Sequence, residues 1–366
     1  MKKKYCLILI ILILFIFSAC SKAQGEAPAI VEENEQQEEI SENGNYINDE
    51  IPTEENSKSS KDPTLAIDLS HEPNELGEIM ILMYHGIGEE ETDWQRTPEN
   101  FRKDLEYMYQ NKYQMISLND YAKGEIYTKA GYTPIILTFD DGRQNNFNLI
   151  EVNGKMVLDP DCVVGILEEF KSKYSDFSVT ASFFLGTNIF GQKEYVKEKL
   201  DFLIENGYDL GNHTYSHDKL ENLSGEEIQA EIGSVNNIIT NYIQDYAIET
   251  LALPHGSNPK NEYEHFMLKG EYEGNKYETA AVLDVGWRPA YSPFDKLTDF
   301  TSLYRVTASE INVDNCGMND YFKQYAENKR ERFISDGNPD VVTIPKRHEK
   351  YLNMDVVGDK VVNIYE

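Results

Sequence analysis

Short apolar runs alternate with amphipathic helical patterns along most of this chain, and this alternation constrains the fold more than any other feature. Residues 79–84 form an apolar run without helical spacing, which is typical of a buried strand. Thr97 and Pro98 then form a helix start, and apolar residues follow at helical spacing. We find no internal repeat of roughly 20 to 50 residues. The sequence therefore predicts a mixed α/β fold.

The same patterns predict the remaining elements. Strands are predicted at residues 134–139, 179–185, 250–253, 280–285 and 303–307, and helices near 161–174, 193–205 and 224–243. Near the carboxyl end, residues 341–344 and 356–364 predict a closing strand and a hairpin that turns at Gly358. Residues 143–160 look like an insertion that shapes a groove.

The amino terminus carries a targeting signal. Three lysines at positions 2–4 precede an apolar run at 7–17, which is too short to span a bilayer. The run ends in Phe-Ser-Ala-Cys, which resembles a bacterial lipobox with Cys20 as the lipidated residue. We therefore expect a signal peptide over 1–19 and a lipid anchor that holds the protein on the extracellular face of the cytoplasmic membrane. Ordinary secretory cleavage nearby is the alternative.

The acidic residues are concentrated after this signal. Residues 21–78 contain sixteen acidic and three basic residues, and the whole chain has a net charge of -30. This composition predicts a disordered tether over 20–78, followed by a folded domain over 79–366 with a C-terminal extension from about residue 310. The acidity excludes a nucleic-acid-binding protein and is compatible with a neutral or cationic polymer as partner.

Two carboxylates follow the strand predicted at 134–139. Asp140 and Asp141 stand at its carboxyl end, the edge where α/β proteins build their sites. Neighbouring side chains on a strand point to opposite sides, so the two are poorly placed as a glycosidase pair that flanks one bond. One would bind a metal and the other would face the reacting atom. A plain strand-ending turn is the alternative for these residues alone.

Two histidines form the second cluster. His213 and His217 are four residues apart, a spacing that places both imidazoles on one face of a helical turn. Residue 214 is Thr, which differs from the zinc-peptidase pattern. A surface histidine pair is the alternative. An aspartate together with two histidines leaves one coordination position open, as in a catalytic zinc site.

These two motifs together carry a resemblance to a known family. Thr-Phe-Asp-Asp-Gly at 138–142 and His-Thr-Tyr-Ser-His at 213–217 are similar to the first two motifs of polysaccharide deacetylases with a NodB homology domain. The resemblance covers about residues 79–310. It implies a distorted (β/α) barrel that binds zinc or another divalent metal through Asp141, His213 and His217. It also implies that Asp140 is the general base.

The position of a third motif resembles a permuted branch of this family. No Leu-x-His element follows the predicted barrel, whereas Leu-Met-Tyr-His-Gly stands on the first strand, at 82–86. Poly-N-acetylglucosamine deacetylases of biofilm matrix systems typify this branch. The resemblance implies that His85 is the general acid. His348, which lies in a polar context, is interpreted as a surface residue.

The loop after the strand predicted at 250–253 departs from the family pattern. Many members have Arg-x-Pro-x-Gly, whereas this chain has Ala-Leu-Pro-His-Gly at 252–256. Pro254 and Gly256 keep the loop shape, and the backbone N–H of His255 remains available to an oxyanion. The His255 side chain either faces substrate or packs.

The arginine missing from that motif must come from elsewhere if the base is to be supported. Arg288 and Arg305 are both candidates, and the sequence does not choose between them. Asp284, Gly286 and Trp287 resemble the fourth family motif, which implies that Trp287 lines the acetyl pocket.

The sequence as a whole predicts a monomeric enzyme that hydrolyses N-acetyl groups of a polysaccharide containing N-acetylglucosamine. A deacetylase acting on peptidoglycan or O-acetylated xylan is an alternative, as is a non-catalytic carbohydrate-binding lipoprotein with the same fold. The two cysteines of the folded part, Cys162 and Cys316, are interpreted either as a disulfide or as two thiols.

Overall fold

The computed structural model describes residues 63–366, so the predicted signal peptide, Cys20 and most of the predicted tether lie outside the described residues. The strands are β1 Met80–Tyr84, β2 Gly86–Ile87, β3 Gln95–Arg96, β4 Tyr113–Met115, β5 Thr133–Phe139, β6 Leu149–Val152, β7 Lys155–Leu158, β8 Ser182–Leu185, β9 Asp209–Asn212, β10 Thr250–Ala252, β11 Lys269–Tyr272, β12 Asn275–Glu278, β13 Ala281–Leu283, β14 Val306–Thr307, β15 Val341–Pro345 and β16 Val361–Tyr365. The α-helices are α1 Pro98–Gln110, α2 Leu118–Lys123, α3 Val163–Lys173, α4 Val196–Glu205, α5 Gly225–Tyr242, α6 His265–Leu268, α7 Met318–Ala326 and α8 Met354–Val357.

Eight parallel strands form one curled sheet. Its order is β13-β10-β9-β8-β5-β1-β14, and β4 also pairs with β5. The ring closes through Leu303, whose N–H donates to the Val282 carbonyl while its own carbonyl accepts from the Asp284 N–H, both at 2.8 Å. The predicted α/β fold with a distorted barrel is therefore confirmed. The closing contact is a short segment, in which the Phe300 carbonyl also accepts from the Val282 N–H at 2.8 Å, rather than a full strand.

The helix that follows β1 illustrates why the outer layer forms. The Thr97 hydroxyl accepts from the Asn100 N–H at 3.2 Å, and proline stands at the first helical position of α1. The buried face of α1 includes Phe101 and Leu105, which belong to the same core as Leu82 and Phe139 of the sheet. A second core on the other side of the strands includes Ile81, Ile136 and Phe184.

The last part of the chain closes the amino end of the barrel. The Thr133 hydroxyl, at the start of β5, donates to the Phe333 carbonyl at 2.7 Å, and Phe333 is fully buried. Val342 and Ile344 of β15 belong to the same inner core as Ile81. The region after residue 310 is thus packed into the barrel core, and the carboxyl ends of the strands are left for a site.

Residues before the boundary predicted at residue 79 pack against the folded domain. Asn74 and Glu75 are buried, and the Asn74 N–H donates to the Ile334 carbonyl at 2.9 Å. The Glu75 carboxylate accepts N–H groups of Asp336 and Thr343 at 3.1 and 3.0 Å. The acidic composition concealed this anchor because Glu75 is held by backbone donors that composition does not reveal.

The hairpin predicted near Gly358 is wrong: α8 and a turn connect to β16, which pairs in parallel with β15. The insertion after Asp141 does contain a hairpin, in which β6 and β7 are joined by Asn153 and Gly154, both with positive φ.

Cys162 and Cys316 are free thiols. Within residues 63–366, no helix combines the length and hydrophobicity that crossing a membrane requires.

Candidate active site

Strands β1 and β5 bring His85 and Asp140 to the same edge of the barrel. They pair in parallel with Tyr84 opposite Phe139, and the Asp140 N–H donates to the Tyr84 carbonyl at 3.0 Å. His85 and Asp140 therefore leave the sheet side by side, about one strand spacing apart. The family resemblance implies that His85 is the acid and Asp140 the base, and the structure places these two residues next to each other.

The chain turns sharply between the two carboxylates. Asp140 is buried, whereas Asp141 is partly exposed and has a φ of 72°, in the left-handed region that costs energy for a residue with a side chain. Gly142 follows with a φ of 54°, and a Cβ there would lie 2.2 Å from the Asn188 carbonyl oxygen. The turn thus gives the two aspartates different surroundings, as predicted.

The segment that carries the two histidines is a loop, so the prediction of a helical turn is wrong. β9 ends at Asn212, and both Thr214 and His217 have positive φ. The Asn212 side chain accepts from the Thr214 N–H at 2.8 Å, and the Glu231 carboxylate accepts from the Ser216 N–H at 2.7 Å. These hydrogen bonds define a conformation that an i, i+4 spacing does not anticipate.

Asp141, His213 and His217 nevertheless converge. The Asp141 Oδ1 atom lies 3.5 Å from His213 Nε2 and 3.4 Å from His217 Nε2, and the donor atoms of all three lie within 4.8 Å of one another. Ligands of a tetrahedral zinc, each about 2.0–2.1 Å from the ion, stand about 3.3 Å apart. The two measured separations are close to that value, so the cluster fits a divalent cation.

The tautomer of His213 also suits a metal ligand. Its Nδ1 lies 2.8 Å from the Ala252 carbonyl oxygen, which only accepts, so Nδ1 carries the proton and Nε2 keeps its lone pair. Burial alone would raise the pKa of Asp141, but the neighbouring His213, His217 and Arg143 hold it well below its ordinary value. The carboxylate is therefore ionised and available as a ligand.

Arg305 holds Asp140, and this resolves the choice between the two arginines. Its guanidinium is fully buried and donates to both Asp140 oxygens, at 2.7 and 2.8 Å. It also donates to the Thr138 hydroxyl at 3.2 Å and the Asp284 carbonyl at 3.0 Å. Burial would raise the pKa of Asp140, but the charge and hydrogen bonds of Arg305 and the nearby His213 and His85 together outweigh burial and lower that pKa to about 2.

Arg288 takes no part in this pairing. Its guanidinium lies over the rings of Tyr291 and Tyr304, at 4.2 and 5.1 Å from their centroids.

His85 is partly buried and contacts an aromatic ring. Its ring lies against Trp94, with 4.9 Å between ring centroids and 51° between planes. Its Nδ1 atom is buried and has no hydrogen-bond partner among the described residues. Burial lowers the pKa of His85 to about 4, even though Asp140 and Asp141 act in the opposite direction.

The loop at 254–256 places His255 beside the histidine cluster. His255 has a φ of 57°, its side chain is exposed, and its ring lies 4.7 Å from that of His217. Gly256 is required beside it, because a Cβ there would lie 2.8 Å from Asp284 Oδ1. Of the two alternatives for the His255 side chain, the structure favours exposure toward the site. Trp287 is 65% exposed, so in this structure it does not line an enclosed pocket.

Sequence reasoning missed two residues of the site. Arg143 donates through Nε and Nη2 to Asp141 Oδ2, at 2.9 and 2.6 Å, which leaves Oδ1 facing the histidines. Its position two residues after Asp141 was the available signal. Trp94 was also missed; it is one of only two tryptophans in the chain.

One protein family model matches part of this chain. Residues 128–265 match the family model for polysaccharide deacetylase. That range contains Asp140, the three candidate metal ligands and the loop at 254–256, whereas His85 and Arg305 lie outside it. The predicted polysaccharide deacetylase domain is therefore confirmed over these residues, as is the prediction of an amide-hydrolysing enzyme. No match was found among curated proteins.

Several solved structures are similar to parts of this chain. The Streptococcus pyogenes deacetylase PplD in complex with acetate is 16% identical, covers 68% of this chain and 98% of its own, and gives a TM-score of 0.49. IcaB from Ammonifex degensii is 16% identical over 68% of this chain and 97% of its own, with a TM-score of 0.46. BA3943, a CE4 family pseudoenzyme from Bacillus anthracis, is 30% identical over 27% of this chain and 32% of its own, with a TM-score of 0.20.

Proposed function

We propose that this protein is a metal-dependent deacetylase that removes N-acetyl groups from a polysaccharide containing N-acetylglucosamine and releases acetate. One arrangement carries the proposal: the cluster of Asp141, His213 and His217 lies beside Asp140, which a buried arginine keeps ionised. His213 Nε2 is 4.0 Å from Asp140 Oδ2, so the carboxylate borders the three donors.

Asp141, His213 and His217 are the residues that would hold the metal, and zinc suits a set of two imidazoles and one carboxylate. A bound divalent cation would polarise the acetamide carbonyl and acidify the attacking water. Arg143 donates to Oδ2 of Asp141 and so keeps Oδ1 on the side of the two imidazoles, where it could serve as a ligand.

Asp140 is proposed as the acceptor of the proton that the attacking water loses. A general base must be ionised and close to the reacting atoms, and Arg305 ensures that Asp140 is ionised at neutral pH. Two bonds from a planar guanidinium also fix the orientation of both carboxylate oxygens. The backbone N–H of His255 is proposed to donate to the oxygen of the tetrahedral intermediate.

His85 is proposed as the acid that protonates the departing nitrogen, since an amide nitrogen does not leave as an anion. The lowered pKa of His85 means that the free protein holds this imidazole neutral at pH 7. It must therefore acquire its proton during the reaction. Asp140, which lies about one strand spacing away, takes up the proton of the attacking water and is proposed to pass it to His85. The proton that water loses thus ends on the leaving nitrogen, and Asp140 returns to its ionised form.

The alternative of a non-catalytic binding protein is less well supported. The arginine missing from the Arg-x-Pro-x-Gly motif and the missing C-terminal Leu-x-His element both favour it. Arg305, which directly precedes β14, supplies a guanidinium to Asp140, and this removes the first of these two arguments. The proposal of a lipid anchor at Cys20 and a location on the outer face of the cytoplasmic membrane rests on the sequence alone.

Acetate release tests the proposed function. The purified protein is incubated with N-acetylglucosamine oligomers, peptidoglycan fragments and acetylated xylan, each with and without a chelator, and acetate is quantified. We expect release from the oligomers that stops on chelation and returns when zinc is added. Acetate release only from peptidoglycan or xylan would show that the proposed substrate is wrong. Acetate release that persists in chelator would contradict the proposed metal dependence.

A further inference from the structure

Trp94 is a large apolar side chain exposed at the edge of the candidate active site. The chain has two tryptophans, and the indole of Trp94 is 46% exposed while contacting the ring of His85. A single exposed aromatic residue is common on protein surfaces and carries no meaning by itself. Trp94, however, contacts His85, the residue proposed to protonate the leaving nitrogen, so its indole lies close to where the substrate would bind.

The turn that carries Trp94 is firmly held. Thr92 and Gln95 pair across it, with the Thr92 N–H donating to the Gln95 carbonyl at 3.0 Å. The Ser309 hydroxyl donates to the Thr92 carbonyl at 3.0 Å, and Asn312 donates to the Asp93 carboxylate at 2.8 Å. These bonds tie the tip of the turn to the segment that follows β14.

The base of the same turn is anchored by a buried ion pair. Arg96 is buried and donates to both oxygens of Asp104 on α1, while its Nη1 donates to Glu91 at 3.0 Å. Because folding has already fixed the turn, a ligand that stacks on the indole has little ordering cost left to offset. The Trp94 indole is thus held in place and half-exposed, as expected of a pre-organised binding surface.

We propose that the Trp94 indole is a platform on which one pyranose ring of the polysaccharide stacks, on the His85 side of the sugar that is deacetylated. This inference rests on the proposed function and adds a subsite to it. A pyranose presents a face of C–H groups, and an indole supplies a broad flat surface with few rotatable bonds. The enzyme would then act on sugars within a chain and prefer oligomers to the monosaccharide.

Intrinsic fluorescence tests this without turnover. Trp287→Phe leaves Trp94 as the sole tryptophan, and Trp94→Phe leaves Trp287. Each variant is titrated with the β-1,4 and β-1,6 tetramers of glucosamine, which have no acetyl group to hydrolyse. We expect the Trp94 emission to shift to shorter wavelength and saturate with at least one tetramer, because a stacked sugar excludes water from the indole.

Steady-state kinetics supply the second readout. Trp94→Ala is expected to raise KM for the N-acetylglucosamine tetramer about tenfold, and to remove most of the preference for tetramer over monomer in kcat/KM. Trp94→Phe keeps an aromatic face and should retain most of that preference. Tyr127→Ala is the matched control, because Tyr127 is 58% exposed but precedes β5, at the opposite edge of the barrel.

The outcomes separate the two proposals. Acetate release from the tetramer, combined with unchanged Trp94 emission and an unchanged tetramer preference in Trp94→Ala, overturns the platform and leaves the proposed function intact. Saturable Trp94 emission without acetate release from any saccharide supports the platform and overturns the catalytic proposal. An absence of both responses overturns both.

Discussion

Asp140 and Asp141 are adjacent in sequence but differ in what holds them. Asp140 is buried and paired with one guanidinium, whereas Asp141 faces two imidazoles with one oxygen and Arg143 with the other. The backbone of Asp141 has a positive φ, which is energetically unfavourable for a residue with a side chain, and this conformation turns the two side chains in different directions. This difference makes the proposed roles of the two residues separable by substitution.

Asp140→Asn should retain the metal and lose turnover. The substitution keeps the size of the side chain but removes the proton acceptor, so acetate release should fall by about 10²–10⁴-fold. Metal content, measured by elemental analysis after dialysis, should remain near one equivalent. His213→Ala is the matched control and should lose the metal. Normal acetate release by Asp140→Asn would refute its assignment as the base.

Arg143→Gln should weaken metal binding. Arg143 orients Asp141 without touching the proposed ion, and removing such a partner costs about tenfold in metal affinity. The measurement is competition with a chromophoric chelator. Arg143→Lys keeps the charge but loses one of the two hydrogen bonds to Asp141, so its metal affinity should lie between those of the parent and Arg143→Gln. Arg102→Gln on the surface of α1 is the control, and equal affinities of Arg143→Gln and this control would exclude the orienting role.

Arg305→Met should destabilise the fold in a pH-dependent manner. In the parent, the lowered pKa of Asp140 contributes stability at pH values above the unfolded pKa of about 3.9, and this is lost as the pH falls toward about 2. Without the guanidinium, a buried carboxylate is left unpaired at pH 7, at a cost of about 3–5 kcal/mol. Burial then raises the pKa of Asp140, so the carboxylate becomes neutral at moderately acidic pH.

Urea unfolding in the presence of a chelator measures this effect. The difference in unfolding free energy between parent and Arg305→Met should be large at pH 7 and smaller at pH 4.5. Arg288→Met is the control, because Arg288 contacts tyrosine rings and forms no ion pair among residues 63–366. A difference that stays constant between the two pH values would show that Asp140 does not respond to Arg305 as proposed.

At the scale of the elements, the sequence predicts best where burial is complete. β1 and β5 are buried along their whole length, so they read as apolar runs, and their observed bounds differ from the predicted ones by one residue. β9 was missed because Leu210 is its only large apolar residue. A Cβ at Gly211, within β9, would lie 2.4 Å from the ring of Phe184. Close packing therefore requires glycine at this position, and glycine adds nothing to an apolar pattern.

Most residues of the site were predictable from the sequence, but its geometry was not. The aspartate pair and the histidine pair were recognised from their motifs, but the loop conformation of the histidines depends on hydrogen bonds to Asn212 and to Glu231 of α5. The choice of Arg305 depends on the order of strands around the barrel, which places β14 next to β1. Contacts set by topology leave no local signal in the sequence.

At the scale of the whole molecule, Cys20→Ser tests the proposed anchor. A serine cannot receive a thioether-linked lipid, so the variant should leave the membrane fraction and appear in the soluble fraction of fractionated cells. Cys6→Ser, immediately before the apolar run, is the control and should not change the distribution. Retention of Cys20→Ser in salt-washed membranes would exclude lipidation at this residue as the cause of attachment.

The neighbouring positions of β1 and β14 also bear on how the protein acquires activity. Leu82 pairs with Val306, so strands more than 200 residues apart in the chain must meet before Arg305 can reach Asp140. Such distant contacts form slowly, because a long loop must close before they contribute stability. A chain that emerges from the ribosome or a translocation channel from its amino end therefore presents Asp140 long before its counter-ion exists. We expect activity to appear only in the final folding step, when the last strand completes the barrel.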